Sequence, residues 1–365
     1  MSQAPNSRSL IELKIFGSNP GSLKGWLYLP SILAPRTALV VVLHGCTQTA
    51  AEYDLGSGWS ELAEKRGFAV LYPEQQRSNN PNLCFNWFEP GDIRKDGGEA
   101  LSIRQMISHV VGSHGIDPRR VFVTGLSAGG AMANVMLATY PEIFSGGAII
   151  GGLPYGVSSG VAQAFERMQG RNAPDAKTLQ AAVAHASDKP SRWPTISIWH
   201  GTHDQTVRPV NAEQTSTQWR AVHGTAGAAE TSEQIGSHQR KVWRDKAGNE
   251  VVEFYLVRGL GHGVPLSSEG EHALGKIGPF MLDAGISSTA RIARSWKLAD
   301  DSDVADAEDA TQTYAGKPEA SVLETAIYAA LKFSKTRPGA DGPSDTTSRV
   351  SKVINDALKA AGLMR

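Results

Sequence analysis

The sequence reads as an α/β protein, a mostly parallel twisted sheet with helices on both faces, and three features point there. Residues 38–43, 68–72 and 146–150 are short, continuous apolar runs, the pattern of strands buried on both faces. Stretches of helical spacing alternate with the strands over short links, which calls for right-handed parallel crossovers. Last, Val121-Phe122-Val123-Thr124-Gly125-Leu126-Ser127-Ala128-Gly129-Gly130 runs a strand into a helix through a Gly-x-Ser-x-Gly turn. Such a turn is so tight that the residues flanking Ser127 can carry almost no side chain.

Along the chain, residues 11–16 and 25–29 alternate apolar and polar around Asn19-Pro20-Gly21-Ser22, an antiparallel hairpin at a sheet edge. The run 38–43 ends in His44-Gly45-Cys46-Thr47-Gln48. Residues 59–66 have helical spacing with Gly67 as their stop, and 68–72 is the next strand. Residues 74–96 form a long polar connection holding Cys84-Phe85-Asn86-Trp87-Phe88, too aromatic for disorder and of the length that usually carries function. A helix over 98–114 leads through Asp117-Pro118 to the elbow strand, with a helix over 131–140 and the strand 146–150 behind it. Residues 153–190 lack strand periodicity, hold a helical piece around 161–168, and read as an insertion over the mouth of the site. Next come the strand 195–199, the loop His200-Gly201-Thr202-His203-Asp204 and a helix over 211–223. Strands 241–244 and 251–257 then flank the hairpin signal Lys246-Ala247-Gly248-Asn249, and the second leads to Gly261-His262-Gly263. Residues 1–298 read as the catalytic domain, 299–317 as an acidic linker, and 318–365 as a small helical appendage with apolar stripes over 322–331 and 350–361. Those stripes bury against each other, the main domain or a partner, a second copy of the chain included.

Composition narrows the function classes. With 365 residues, 41 % hydrophobic and 20 % charged, the chain is an ordinary globular protein able to bury a sizeable core. Its 36 basic and 36 acidic residues balance, leaving no basic footprint for nucleic acid or anionic membranes. No apolar run approaches the roughly 18 residues of a membrane span. Residues 1–9 are polar and lack the apolar core of a secretory leader, so composition assigns no compartment. Cys46 and Cys84 each follow a strand-like run, and whether they pair depends on that compartment. No Cys-x-x-Cys or His-Glu-x-x-His spacing suggests a metal site.

A serine hydroxyl is too weakly acidic to attack an ester unaided. It needs a base to take its proton, and the base needs a carboxylate to fix its tautomer. Ser127, exposed at the turn, is the candidate nucleophile. In a doubly wound sheet with such an elbow, the partners follow in the order Asp or Glu, then His, on loops at the C-terminal ends of strands. Asp204, after the strand 195–199, fits the acid, whereas Asp175 and Asp188 lie in the insertion and Glu213 on the next helix. An Asx-turn role for Asp204 is compatible with this. His262 fits the base, with His272 as the fallback; His200 and His203 come too early and suit loop hydrogen bonding. Two N–H donors for an oxyanion are expected, one from Ala128 and one from the loop after residues 38–43, where Cys46 is best placed. His44 is expected on the substrate side of that loop, bracing it.

With these residues in hand, the chain resembles the short-chain polyhydroxyalkanoate (PHB) depolymerase-type esterases, α/β-hydrolases related to feruloyl and acetyl-xylan esterases. The resemblance covers about residues 11–298 and rests on Leu43-His44-Gly45-Cys46-Thr47-Gln48, Cys84-Phe85-Asn86-Trp87-Phe88, the stretch 117–130, His200-Gly201-Thr202-His203-Asp204 and Gly261-His262-Gly263. It implies the α/β-hydrolase fold and ester hydrolysis through an acyl-enzyme, without cofactor or metal, with Ser127, Asp204 and His262 as triad. It also implies a Cys46–Cys84 disulfide bracing the oxyanion loop, and Trp87 as an apolar wall for the acyl or hydroxyacyl unit. Secreted members begin with a leader and polymer-degrading members often carry an adsorption domain, so the expected substrates are soluble 3-hydroxybutyrate oligomers or small esters ahead of crystalline polymer. Acetyl-xylan, feruloyl or general short-chain esters are the alternative. A serine oligopeptidase would call for a gating domain ahead of the catalytic part, and a non-catalytic binder would not need the three residues in order.

Overall fold

The computed structural model describes residues 10–188, 190–270 and 272–304. Along the chain run β1 (Ile11–Glu12), β2 (Lys24–Tyr28), β3 (Leu39–Leu43), α1 (Ala50–Ser57), α2 (Trp59–Arg66), β4 (Ala69–Glu74), α3 (Gly98–Ser113), β5 (Val121–Leu126), α4 (Ala128–Thr139), β6 (Gly146–Ile150), α5 (Val161–Met168) and α6 (Ala176–Ala184). After these come β7 (Thr195–Gly201), α7 (Val210–Val222), β8 (Thr231–Ile235), β9 (His238–Arg244), β10 (Glu250–Val257), β11 (Val264–Leu266), β12 (Met281–Asp283) and α8 (Ser288–Ser295). Among the described residues the main sheet has ten strands in the order β1-β2-β4-β3-β5-β6-β7-β10-β9-β8, and β11 and β12 form a separate parallel pair. From β4 to β10 neighbouring strands are parallel; the β1–β2–β4 and β10–β9–β8 edges are antiparallel.

The continuous apolar runs become strands covered on both faces because alternate side chains enter different layers. Leu39, Val41 and Leu43 of β3 pack in one apolar layer with Met106 and Ile107 of α3, Met136 of α4 and Trp219 of α7. Val40 and Val42 point into the other, with Tyr53 of α1, Leu62 of α2 and Ile292 of α8. In that second layer Trp296 stacks on Phe122 at 4.8 Å and on Trp59 at 5.8 Å, so the end of the predicted catalytic part is anchored in the core.

Several elements were not expected. Helix α1 opens on Thr49, whose side chain accepts the Glu52 N–H while the Glu52 carboxylate accepts the Thr49 N–H, a reciprocal cap that sequence reading of the loop passed over. The insertion holds α6 as well as α5, and β8 adds a strand to the expected hairpin. Arg66 pairs with Asp300 at 2.8 Å and with Asp303, which holds the start of the predicted linker against α2. Chain contacts divide after Thr313, so every described residue belongs to the first unit. The rest of the linker and the predicted helical appendage lie outside the described residues.

Candidate active site

Ser127 sits at φ 57°, ψ −117°, between the end of β5 and the start of α4. For a side chain other than glycine such a conformation costs on the order of 1–3 kcal/mol, so surrounding structure must enforce it. Main-chain packing does so. A β-carbon on Gly129 would lie 2.2 Å from the Leu43 carbonyl oxygen, and one on Gly125 would lie 2.5 Å from the Gly129 carbonyl carbon. The Ser127 N–H donates to the Ile150 carbonyl at 2.9 Å, tying the turn to the end of β6. Ala128 is the first residue of α4, so its N–H is among those a helix start leaves without an intrahelical partner.

Beside the elbow, the loop after β3 is fixed from several directions. Cys46 and Cys84 form a disulfide. The Thr47 N–H donates to the Asn82 carbonyl at 2.7 Å, and the Gly45 N–H to Gln48 Oε1 at 2.9 Å. His44 is buried, with Nδ1 donating to the Gly45 carbonyl at 2.7 Å and Nε2 accepting the Gln75 N–H at 3.1 Å. Burial lowers its pKa, in keeping with a neutral ring. With both nitrogens engaged by main chain, His44 has no polar atom to offer a substrate. The expectation of a substrate-side contact is corrected to that of a brace alone.

Sequence reading missed Glu99. Its carboxylate is fully buried, accepting from Gln75 Nε2 at 2.6 Å, Asn79 Nδ2 at 3.1 Å and the Asn86 N–H at 2.8 Å. Gln75 Nε2 also donates to the Cys84 carbonyl at 3.0 Å, so this network reaches the disulfide. Burial, then the charge of Asp92, push the Glu99 carboxyl up to about 8 against those hydrogen bonds. An acidic residue at the start of a helix reads in sequence as a partner for the helix dipole, which conceals the burial.

Across the sheet end, Asp204 Oδ2 is 2.7 Å from His262 Nδ1. Asp204 Oδ1 accepts the N–H groups of Thr206 at 2.9 Å and Val207 at 2.8 Å, the Asx-turn expected. His200 Nε2 lies 3.3 Å from Asp204 Oδ2 and 2.7 Å from the Val207 carbonyl, a loop-bonding role. Burial would raise the Asp204 carboxyl, but the charge of His262 and the hydrogen bonds from His200 and His262 outweigh it and hold the group well below the usual carboxylate range. The rival acids are occupied elsewhere: Asp175 caps α6 through the Thr178 N–H at 2.7 Å, and Asp188 pairs with Lys95 at 3.3 Å. The imidazole of His262, not of His272, meets the carboxylate, and it lies beside Gly151, where a β-carbon would stand 3.3 Å from Cε1. Gly151 follows Ile150, the acceptor of the Ser127 N–H, so both side chains stand at the same end of β6. Trp87 packs with Ala128, Ala131, Leu153, Val157 and Val207 in a third apolar cluster, with Cys46 and Cys84 at its margin.

The profile of the family described as esterase PHB depolymerase matches residues 23–242. A poly(3-hydroxyalkanoate) depolymerase C of Paucimonas lemoignei is 44 % identical over 283 residues, 77 % of this chain and 68 % of that protein. Feruloyl esterase B of Talaromyces funiculosus is 29 % identical over 266 residues, 70 % of this chain and 74 % of its own. Among solved structures, an acetyl xylan esterase from Aspergillus awamori superposes with a TM-score of 0.64 at 29 % identity, covering 70 % of this chain and 94 % of that one. The sheet and its flanking helices are those of the α/β-hydrolase fold.

Proposed function

We propose a serine acyl-enzyme route for this chain, which belongs to the esterase PHB depolymerase family and is a carboxylic ester hydrolase. Ser127 attacks the ester carbonyl while His262 Nε2 takes its proton, and Asp204, ionised at any ordinary pH, holds Nδ1 protonated and stabilises the imidazolium. The oxyanion of the tetrahedral intermediate accepts from the N–H groups of Ala128 and Cys46. The neighbouring N–H groups of Gly45, Thr47 and Gln48 are committed to the loop itself or to Asn82, which favours Cys46 for this role. His262 then returns its proton to the leaving alcohol, and a water attacks the acyl-Ser127 ester by the same path in reverse. The observation that carries this reading is an imidazole beside Gly151, bonded at one nitrogen to a buried carboxylate, at the strand end where the strained serine is tied.

For substrate, the reading is a short-chain hydroxyalkanoate ester, 3-hydroxybutyrate oligomers or polyester, with Trp87 as a wall for the acyl unit. It leans on the Paucimonas lemoignei relative, and acetyl or feruloyl esters are the alternative the other relatives suggest. Ser127→Ala should abolish ester turnover and fluorophosphonate labelling while leaving the melting temperature near that of the parent. Appreciable turnover in that variant would remove Ser127 from the chemistry. Comparing kcat/KM across hydroxybutyrate oligomers, p-nitrophenyl esters and feruloyl esters ranks the substrate classes.

A further inference from the structure

We infer that Phe280 is a positioning residue for His262, its ring restraining the imidazole in the room that Gly151 leaves so that Nε2 stays turned toward Ser127; this deepens the triad reading and rests on it. The first observation is where Phe280 stands. Residues 278–281 form a tight turn closed in both directions, Gly278 N–H to the Met281 carbonyl at 3.1 Å and Met281 N–H to the Gly278 carbonyl at 3.0 Å. Pro279 is its second residue and Phe280 its third, at φ 61°. A turn with proline second and positive φ third ordinarily takes Gly or Asn there, because a β-carbon is strained in that conformation. Phe280 is only half-buried and packs at the margin of the second apolar layer, where an aliphatic side chain would serve as well.

Its contact supplies one. The Phe280 ring meets His262 edge-on, centroids 6.2 Å apart and planes at 78°. Gly151 leaves room for the imidazole: a β-carbon there would lie 3.3 Å from Cε1 and 3.4 Å from Nδ1. The turn is locked to the histidine loop as well: the Phe280 carbonyl accepts the Val264 N–H at 2.8 Å, and β11 pairs with β12 from Val264 and Met281 onward. The bond from Asp204 to Nδ1 fixes one corner of the imidazole but leaves it able to pivot about that corner. An aromatic ring set across the imidazole opposes the pivot without competing for the proton that Nε2 must accept.

The test compares Phe280→Asn, which suits the turn but has no ring, with Phe280→Tyr, which keeps the ring. Phe280→Asn should lower kcat at least about tenfold with KM within about twofold, and its melting temperature should stay within about 3 °C of the parent as relieved strain offsets lost contact. The low-field proton resonance of the His262–Asp204 hydrogen bond should broaden into exchange with solvent. Phe280→Tyr should restore kcat to within about threefold of the parent. The inference is overturned if Phe280→Asn keeps both kcat and that resonance, or if its kcat falls only in step with the folded fraction. Fluorophosphonate separates the two levels. A parent protein that does not label at Ser127 sinks the triad reading itself, whereas labelling equally fast in parent and Phe280→Asn sinks only the role of the ring.

Discussion

On one side of the candidate site a disulfide, a buried imidazole and a buried carboxylate tie down main-chain groups; on the other, one side chain, the His262 imidazole, meets a carboxylate at one nitrogen and a half-buried ring across it. The difference follows from what each side must do. N–H groups that receive an oxyanion work best when they do not reorganise, so a polar network with every partner met suits them. An imidazole that takes up and releases a proton must keep one nitrogen unengaged, so apolar walls suit it better than more hydrogen bonds. A lost polar brace is expected to disturb stability and pH response, and a lost imidazole partner to disturb turnover.

The sharpest break of that contrast is Asp204→Asn. With the wrong tautomer at His262, kcat for a p-nitrophenyl ester should fall by up to about four orders of magnitude while circular dichroism stays native. A fall of less than tenfold would mean that the carboxylate serves the loop alone. On the opposite side, replacing Cys46 and Cys84 together by alanine should remove roughly 2–4 kcal/mol of stability, read from the urea midpoint. Its effect on kcat, measured well below the melting temperature, should be smaller than that of Asp204→Asn. If kcat suffers equally, the two braces are not distinct. The last break concerns the pH response set by Glu99. Its folded-state value lies above the ordinary carboxyl value, so folding favours the neutral form, and the stability this confers is complete below about pH 4.5 and lost as pH rises through about 8. Melting temperatures of the parent relative to Glu99→Gln should therefore decline, by on the order of 10 °C, between about pH 5 and pH 9. A difference that does not change with pH would mean that Glu99 ionises normally in its network.

What could be read in advance depended on how local the cause is. The elbow was legible because its glycines and serine lie within five positions, and the sheet because strands buried on both faces cannot be written in other residues. The Asp204 turn was legible for the same reason, since its acceptors' partners are two and three residues away. Glu99 and Phe280 were not. The burial of Glu99 depends on the loop 74–96 folding back over the start of α3, and the contact between Phe280 and His262 depends on two three-residue strands too short to show periodicity. His44 was misread on one count because a histidine beside a candidate oxyanion loop invites a substrate role, while its actual partners are main-chain groups of Gly45 and Gln75.

Where Gly125 and Gly129 bring the ends of β3, β5 and α4 together, backbone touches backbone with no side chains between. That region can acquire almost no new residues without moving the serine, so it is closed to adaptation. Around Trp87, by contrast, Leu153, Val157, Ala164 and Leu179 meet one another through side chains. With Trp87 as the proposed wall for the acyl unit, drift toward another ester is expected to be recorded there, and a mutant library aimed at selectivity should spend its diversity on those positions.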